Sequence, residues 1–430
     1  MGRIRDTGSA AGITTGRTGS RVRRNQRYRQ NAAGARIHAV VNADYDLVVI
    51  GAGIHGAGIA QAAAAHGYNV MVLEQQSIAA GTSSRSSKLI HGGLRYLEQF
   101  DLRLVRECLR ERALLLQLAP KLVKLVPFYI PVYKHTRRQP WEVFAGLSLY
   151  ALLGGLDAHA RFSVVPRQDW NALQGLSQDG LRAVFQYWDA QTDDAALTRA
   201  VMASAGDLGA TLCMPARFEH ANINPDWCEI AFDDHGVSRS VRSRVLVNAA
   251  GPWVNHVAAH ISPAVTQPAI ELIQGTHIIL DSAVVNSIFY VEAPQDGRAV
   301  FIMPWHGNTT LVGTTETPFT GADPGQAKPL PQEQNYLLEV LHRYFPNAPS
   351  NIFSSFAGIR VLPTGKTRAF RRSREILFVA DFQPKPRMLG VYGGKLTSYR
   401  ADAQHALRVL KNVLPARRPI ADTRKLALAP

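Results

Sequence analysis

Residues 46–74 read DLVVIGAGIHGAGIAQAAAAHGYNVMVLE. The unbroken apolar run at 47–50 is typical of a strand buried on both faces of a parallel sheet. In the turn that follows, Gly51 permits the sharp change of direction, Gly53 lets a pyrophosphate approach the backbone, and Gly56 lets the next helix pack closely. The sequence therefore predicts a strand, a turn and a helix that together bind a dinucleotide.

An acidic residue downstream supports the same interpretation. Glu74 ends a second apolar run at 68–73. It lies about 20 residues beyond the glycines, where a carboxylate accepts hydrogen bonds from an adenosine ribose. The alternative is an ordinary βαβ turn that is rich in glycine. His55, inside the glycine turn, is predicted only to line the bound cofactor.

The size and composition of the chain restrict its class. With 430 residues it is long enough for two domains with sizeable cores. The three cysteines have no paired spacing, which argues against a disulfide framework or a zinc site and fits a reducing compartment. We therefore expect no metal site. No apolar run reaches the roughly 18 residues that a membrane-spanning helix needs.

The basic charge is concentrated at the start of the chain. Of the net charge of +15, residues 1–40 carry +8, because they hold nine arginines and one acidic residue. Residues 1–43 lack apolar periodicity and are predicted to form a disordered basic arm. The alternatives are a translation start nearer Val40, an organelle-targeting peptide and, least favoured, a contact with nucleic acid or anionic lipid.

Two further segments invite a functional interpretation. Residues 81–96 combine hydroxyls with glycines, and such a segment wraps polar ligand atoms. The alternative is a flexible loop, but the close-approach glycines at 92–93 favour a packed backbone. Residues 141–153 read as a helix that is uncharged beyond Glu142 and too short to span a bilayer. It is either a core helix or an interfacial one with Trp141 and Tyr150 at headgroup level.

Buried strands that return late in the chain indicate a discontinuous cofactor domain. One such strand ends at the Gly251-Pro252-Trp253 turn, and another precedes Gly393-Gly394-Lys395. We predict an α/β fold, with a discontinuous nucleotide-binding cofactor domain into which a strand-rich substrate domain is inserted. The predicted cofactor domain is 44–125, 186–255 and 356–430, and the predicted substrate domain is 126–185 and 256–355.

Several motifs resemble one family of flavoproteins. They lie in the same order along the chain, at 82–98, 248–253, 275–277, 304–305, 313–315 and 393–400. On these motifs the chain resembles the FAD-dependent glycerol-3-phosphate dehydrogenases, within the class that includes D-amino-acid oxidase and glycine oxidase. The resemblance covers about 44–430, and it implies a short form that lacks the C-terminal helical domain of longer members. It also implies the type of α/β fold, an FAD-binding Rossmann-like domain of the glutathione-reductase or D-amino-acid-oxidase type with an inserted antiparallel-sheet substrate domain.

The resemblance implies a cofactor and a reaction. The cofactor is FAD, and the reaction is oxidation of sn-glycerol 3-phosphate to dihydroxyacetone phosphate by hydride transfer to the flavin. The electrons pass to a quinone, and the protein is cytoplasmic with peripheral contact to the inner face of the cytoplasmic membrane. The alternatives are an FAD oxidase or dehydrogenase of another small hydroxy or amino acid, and a non-enzymatic flavin-fold protein. The oligomeric state stays open.

The resemblance also implies the cofactor-binding set. It joins the glycines of the turns to the polar residues beside them: Gly51, Gly53, Gly56, Glu74, Thr82, Ser83, Ser84, Ser87, Lys88, His91, Gly92, Gly93, Gly251, Gly394, Lys395, Leu396 and Thr397. The Gly393-Gly394-Lys395 turn opens a helix, and its free N–H groups would stabilise negative charge on the reduced flavin.

A phosphorylated substrate requires cations, preferably arginines that bind oxygens in a fork. The resemblance implies Arg95, Arg360, Arg374 and Lys395 for this role, with Tyr96 as a further substrate contact or a packing residue.

The predicted catalytic residues are His277, Arg360 and Arg95. A neutral imidazole at a strand start can take the hydroxyl proton, and the alternative for His277 is a buried structural histidine. The chain departs from the family at Ala52, at Gln61-Ala62, and at Gln274, where a lysine is common.

Overall fold

The computed structural model describes residues 43–155, 160–173, 175–365, 375–381 and 385–429. The predicted arm and Arg374 therefore lie outside the described residues. Residues 43–430 form one compact unit. Its α-helices are α1 (Ile54–Ala65), α2 (Leu102–Leu118), α3 (Pro140–Leu153), α4 (Asp194–Asp207), α5 (Val254–Ala259), α6 (Pro331–Tyr344) and α7 (Tyr399–Leu410).

The strands form two sheets. In chain order they are β1 (Tyr45–Ile50), β2 (Val70–Leu73), β3 (Leu89–Ile90), β4 (Val123–Tyr133), β5 (Phe162–Val164), β6 (Leu181–Thr192), β7 (Thr211–Cys213), β8 (Ala216–Ile223), β9 (Cys228–Asp234), β10 (Val237–Asn248), β11 (Ile261–Ser262), β12 (Ile270–Leu280), β13 (Ile288–Glu292), β14 (Ala299–Trp305), β15 (Thr309–Gly313), β16 (Thr317–Pro318), β17 (Ile352–Pro363), β18 (Leu377–Ala380) and β19 (Met388–Tyr392).

The first sheet is built around β1. Its order is β11-β8-β9-β10-β1-β2-β7, and β19 pairs with β10 and with β18. The pairs of β1 with β2 and with β10 are parallel, as are those of β2 with β7 and of β10 with β19. The late strands therefore return beside the first strand, as the sequence predicts.

Both faces of β1 are covered. Leu47 and Val49 pack into a core with α1, α4 and α7, whereas Val48 and Ile50 pack into a core with β8 and β9. This double burial explains why the strand lacks the apolar–polar alternation of a half-exposed strand. The small residues of α1 allow close packing against α4 and α7, and the Gln61 amide donates to Ser204 Oγ of α4.

The second sheet has the order β16-β12-β15-β14-β13-β4-β6-β3, with β17 on β12 and β5 on β6. Its pairs are antiparallel except for β13 with β4. One face packs against α6, and the other packs against α2 and α3. The structure thus has the predicted α/β fold. In sequence, the strands of a mostly antiparallel sheet lie between the segments of a mixed sheet whose central strands are parallel.

The predicted domain borders fall within single elements, namely β4, β6, α5 and β17. The long strand β17 and the short strand β3 both pair in the second sheet, although the prediction assigns most of β17 and all of β3 to the cofactor domain. Because 43–430 form one compact unit, the division into domains remains a prediction.

The helix α3 has one buried side and one exposed side. Trp141 is 70% exposed, whereas Tyr150 is 1% exposed and donates a hydrogen bond to Asp189. Tyr150 therefore lies where the core-helix interpretation predicts it, and only the alternative that places it at headgroup level is contradicted, because its hydroxyl is buried and bonded to Asp189. In the described part of the chain, no helix has both the length and the apolar character to cross a bilayer.

Candidate active site

The glycine turn joins β1 to α1 with the geometry that its sequence predicts. Gly51 has φ +96°, and a Cβ there would meet the carbonyl of Ala249. A Cβ on Gly56 would collide with the carbonyl oxygen of Gly51. Glycine is therefore required at both positions, one for its positive φ and one for close packing.

Glu74 fixes the turn from the neighbouring strand. Its Oε2 accepts from the Ala52 N–H at 2.8 Å, and its Oε1 accepts from the Gln76 N–H at 2.9 Å. A carboxylate has further lone pairs, so these two bonds leave it able to accept from a ligand hydroxyl. Glu74 also lines the larger of two neighbouring cavities in the structure, which lies beside the turn.

This larger cavity, of about 950 Å³, begins at the glycine turn and reaches the segment after β19. We call it the cofactor cavity. Most of the predicted cofactor residues line it, namely Gly51, Gly53, Glu74, Thr82, Ser83, Ser87, His91, Gly251, Gly394, Lys395, Leu396 and Thr397.

The other predicted cofactor residues lie outside this wall within the described chain. Gly56 packs α1 against the turn, and Ser84 Oγ donates to the carbonyl of Gly81. Lys88 is buried, where its Nζ donates to Asp194 Oδ1 at 2.6 Å. The amides of Gly92 and Gly93 are bonded to Tyr150 and to the ring of His91 respectively.

The wall of the cofactor cavity suits an anionic, dinucleotide-sized ligand. Gly53 is the N-cap of α1, and within the described chain that helix has no acidic residue in its first turn. The free N–H groups and the positive dipole end of such a helix favour a pyrophosphate. At Gly251 and Gly393 the backbone has positive φ and presents no side chain to the cavity. These residues therefore fit a flavin dinucleotide.

Two of the predicted cationic residues, Arg95 and Lys395, contact the ring of Tyr96. The guanidinium carbon of Arg95 lies 4.9 Å from the ring centroid of Tyr96, and Lys395 Nζ lies 4.8 Å from it. The Arg95 guanidinium also donates to the Tyr96 hydroxyl at 3.2 Å. A buried tyrosine thus holds two positive charges near each other, and their mutual repulsion favours an anionic ligand.

Arg360 approaches the same region from β17. Its guanidinium donates to the carbonyl of Thr315 at 3.2 Å and to Thr314 Oγ1 at 3.0 Å. The carboxylate of Glu316 lies 3.7 Å from Arg360 Nη1. These contacts hold the fork of Arg360 in a fixed direction at the wall of the cofactor cavity.

A second cavity of about 760 Å³ adjoins the first. Arg95, Thr314 and Glu316 line it, together with residues of α3, β13 and β14. The walls of both cavities include Ser87, His91 and Tyr96. Four of the five predicted substrate residues therefore surround the junction of the two cavities, with Arg95 on one side, Arg360 and Lys395 on the other, and Tyr96 on both. The fifth, Arg374, lies outside the described residues.

His277 lies behind this junction. It is 1% exposed, and within the described chain it lines neither cavity. Its Nε2 is 3.0 Å from Ser87 Oγ, and its ring stacks on Phe356. Burial, with the charges of Arg360 and Lys88, holds the pKa of His277 well below its usual range. A neutral imidazole bonded to a cavity-lining hydroxyl can act on a ligand through that hydroxyl.

The sequence interpretation missed a buried carboxylate under these strands. Glu333 of α6 accepts from the hydroxyls of Thr276, Thr315 and Thr317 and from the amide of Gln274. Burial alone would raise the pKa of Glu333, but the threonine hydrogen bonds lower it below its usual value. The amide of Gln274 is thus bonded to Glu333 and not to the cation cluster. This hydrogen bond depends on the packing of β12 against α6.

Known proteins are similar to this chain in sequence and in fold. A family profile described as "FAD dependent oxidoreductase" matches residues 46–400. This chain belongs to the FAD dependent oxidoreductase family. The predicted family and its FAD cofactor are therefore confirmed.

Two curated relatives act on small polyol phosphates by name. A D-erythritol 1-phosphate dehydrogenase of Brucella abortus is 36% identical over 376 residues, which are 86% of this chain and 74% of the relative. A glycerol-3-phosphate dehydrogenase of Pseudomonas aeruginosa is 38% identical over 384 residues, 85% of this chain and 72% of the relative. Both matches span most of this FAD dependent oxidoreductase.

A solved structure confirms the fold. The glycerol-3-phosphate dehydrogenase of Bacillus halodurans, complexed with FAD, superposes with a TM-score of 0.71 at 24% identity. The match covers 89% of this chain and 67% of that one. The α/β architecture of this FAD dependent oxidoreductase is therefore that of its family.

Proposed function

We propose that this protein oxidises the secondary hydroxyl of sn-glycerol 3-phosphate, giving dihydroxyacetone phosphate. The observation that carries the proposal is the cation set of Arg95, Arg360 and Lys395 at the junction of the two cavities. A dianionic phosphate ester offsets the repulsion among these charges, which a neutral polyol does not. Relatives named glycerol-3-phosphate dehydrogenase support the same substrate.

The residues proposed to hold FAD lie along the cofactor cavity. Glu74 would bind the adenosine ribose, the amides from Gly53 onward would bind the pyrophosphate, and the segment from Gly393 to Thr397 would hold the flavin ring. When bound, FAD supplies the hydride acceptor for the reaction. Gly393 and Gly394 line the cavity without side chains, and the space that a Cβ of Gly394 would fill is taken by the imidazole of His55.

The substrate phosphate is proposed to bind between Arg360 and the Arg95–Tyr96–Lys395 group. Arg360 suits a fork-like contact because its side chain is already oriented by Thr314 and Thr315. Arg374 stays a predicted member of this set from the sequence alone.

Proton removal is proposed to run through Ser87 to His277. Ser87 lines both cavities, and its hydroxyl is hydrogen-bonded to the neutral imidazole at 3.0 Å. A substrate hydroxyl that donates to Ser87 Oγ could pass its proton to His277 Nε2, which requires the proton of His277 to be on Nδ1. This role differs from a direct contact between His277 and substrate.

A second substrate, D-erythritol 1-phosphate, is favoured by the second cavity. That cavity of about 760 Å³ opens from the cation set and is lined by polar groups such as Thr314, Glu316 and Arg298. It has room for the additional hydroxymethylene group of a four-carbon chain. The relative of that name is 36% identical to this chain.

A quinone is the proposed acceptor, reached at a membrane surface. The outer side of α3 presents Trp141, Phe144 and Leu152 to solvent, and its inner side contributes Val143 and Gly146 to the second cavity. An apolar surface connected to the reaction site suits an acceptor dissolved in lipid.

Anaerobic reduction of the bound flavin tests the function. Glycerol 3-phosphate should bleach the yellow holoenzyme, D-erythritol 1-phosphate should be measured beside it, and glycerol should leave the protein yellow. Bleaching by glycerol and by its phosphate at equal concentrations would contradict phosphate recognition. Rapid formation of hydrogen peroxide in air would instead support an oxidase.

The variant Arg360→Ala tests the proposed phosphate contact. It should lower kcat/KM by about tenfold or more, because a charged hydrogen bond contributes about 1.5–3 kcal/mol and about 1.4 kcal/mol is tenfold. Arg239→Ala is a matched control, since Arg239 is exposed and paired with Asp234 on a surface strand. Equal kinetics in the two variants would remove Arg360 from the site.

A further inference from the structure

A hydrogen-bonded pair connects the two helices that begin at the cofactor cavity. His55 is the second residue of α1, and its Nε2 lies 3.2 Å from Asp402 Oδ2 in the first turn of α7. The same carboxylate oxygen accepts from Ser398 Oγ at 2.8 Å. The side chains of His55 and Asp402 are only 14% and 9% exposed, so water competes weakly for this bond.

The imidazole of this pair packs against the turn that is proposed to hold the flavin ring. A Cβ added to Gly394 would collide with His55 Nε2, so the ring occupies the space beside that backbone. Gly394 has φ +93°, and it precedes Lys395, which contacts Tyr96. The imidazole of His55 is therefore in close contact with the Gly393–Lys395 turn.

Only one member of the pair faces the cofactor cavity. His55 lines that cavity, whereas Asp402 does not, among the described residues of its wall. Asp402 can thus act on the cavity only through His55 and through the start of α7. This separation lets a direct contact with the cofactor be distinguished from an effect of the pair.

We propose that the His55–Asp402 pair is a staple between the first turns of α1 and α7 that retains FAD and orients its flavin-binding turn. His55 is a positioning residue: held by Asp402, its imidazole fixes Gly394 against the cavity. The proposal uses FAD as the family's cofactor and does not depend on which alcohol is oxidised.

The rate of FAD release from the holoenzyme tests the staple. FAD fluorescence after dilution would be followed for His55→Ala, Asp402→Ala and the double variant. Each single variant should release FAD about tenfold faster, which corresponds to about 1.4 kcal/mol. The double variant should release it no faster than the worse single variant, because both substitutions remove the same interaction.

A conservative variant distinguishes the loss of the hydrogen bond to Asp402 from the loss of side-chain volume. In His55→Gln the amide nitrogen reaches about as far as imidazole Nε2 and can donate to Asp402, so FAD release should return to near the wild-type rate. The visible circular dichroism of the bound flavin should change in His55→Ala and be restored in His55→Gln. A change of thermal stability alone would not produce that restoration.

His405→Ala is the matched control. His405 lies one turn further along α7 and packs edge-on against Phe378, outside the described wall of the cofactor cavity. It should release FAD at the wild-type rate. If Asp402→Ala does not fold, Asp402→Asn removes the charge with little change of shape and serves in its place.

Several results would overturn the staple. Wild-type FAD release from the Asp402 variant would show that the carboxylate has no effect on the cavity. Additive effects in the double variant would show that the residues act separately. Release from His55→Gln as fast as from His55→Ala would show that the bond to Asp402 does not retain FAD.

Discussion

At the scale of single residues, charge placement distinguishes groups that bind ligands from groups that hold the protein together. Lys88 lies in a polar segment that the sequence assigns to the cofactor, but its Nζ is bonded to Asp194 and to the carbonyl of Ser84. Gln274, near the predicted cation cluster in the sequence interpretation, donates to Glu333. Neither role is visible in the sequence, because each partner is distant along the chain.

His277 provides a prediction at this scale. Its folded-state pKa lies well below the ordinary value of 6.5, mainly because of burial. As pH falls below about 6.5 the unfolded chain binds a proton that the folded protein does not, so the free energy of unfolding decreases by up to about 1.4 kcal/mol per pH unit.

Urea unfolding from about pH 7 to about pH 5 measures this effect. His277→Gln should show a smaller loss of stability over that interval than the wild type, because glutamine does not titrate. His405→Gln is the control, since that residue lies at the α7 surface. An unchanged slope in His277→Gln would mean that His277 is protonated in the folded protein.

At the scale of elements, α3 is the least ordinary helix. Its inner side carries Tyr150, whose hydroxyl accepts from the Gly92 amide at 2.9 Å. Its outer side is aromatic and exposed, and the adjacent α2 exposes arginines at positions 103, 106 and 110, a spacing that places them on one helix face. The proposed membrane contact uses these exposed apolar and basic side chains, which suit an anionic bilayer.

Vesicle binding tests this surface. Trp141→Ser and Phe144→Ser together should reduce binding to anionic vesicles about tenfold or more, since burying each aromatic side chain is worth about 1.5–3 kcal/mol. Phe353→Ser is the matched control, because Phe353 is an exposed aromatic residue on β17. If the double variant bound vesicles as well as Phe353→Ser does, α3 would be excluded as the membrane contact.

Other elements show how much of the fold the sequence could predict. The strand, glycine turn and helix at 45–65 follow from local rules, since the turn needs glycine at fixed offsets. The β14–β15 hairpin and the helix α6 follow from turn residues and from helical periodicity. The second cavity does not follow, because segments that are distant in sequence line it, among them α3, β4, β13 and β14. The contacts of Arg360 do not follow either, because they join β17 to Thr314 and Thr315 across a long separation in sequence.

At the scale of the whole molecule, buried ion pairs connect segments that are distant in sequence. Arg400 of α7 binds Glu111 of α2, and Arg112 of α2 binds Asp189 of β6 at 2.6 Å. Such pairs gain little net stability over apolar contacts, but a buried charge that loses its partner is costly. They therefore make the assembly of the two sheets sensitive to single substitutions.

The Lys88–Asp194 pair tests whether the loss of one partner of a buried ion pair destabilises the protein. Asp194 is fully buried and also accepts from the Ser86 N–H, so it joins the segment after β2 to the start of α4. Lys88→Met should lower the free energy of unfolding by about 3–5 kcal/mol, because it leaves that carboxylate without its cation. The double variant Lys88→Met/Asp194→Leu should recover much of this loss, since it removes both charges.

Urea unfolding of the holoenzyme, with FAD release recorded alongside, separates this role from cofactor binding. A structural pair predicts that stability and FAD retention are lost together in Lys88→Met and recovered together in the double variant. If FAD were lost in both variants while the protein stayed as stable as the wild type, Lys88 would belong to the cofactor site instead. The burial of Asp194 favours the structural role of Lys88 over the cofactor-binding role. A carboxylate with no access to water requires a positive charge from within the fold.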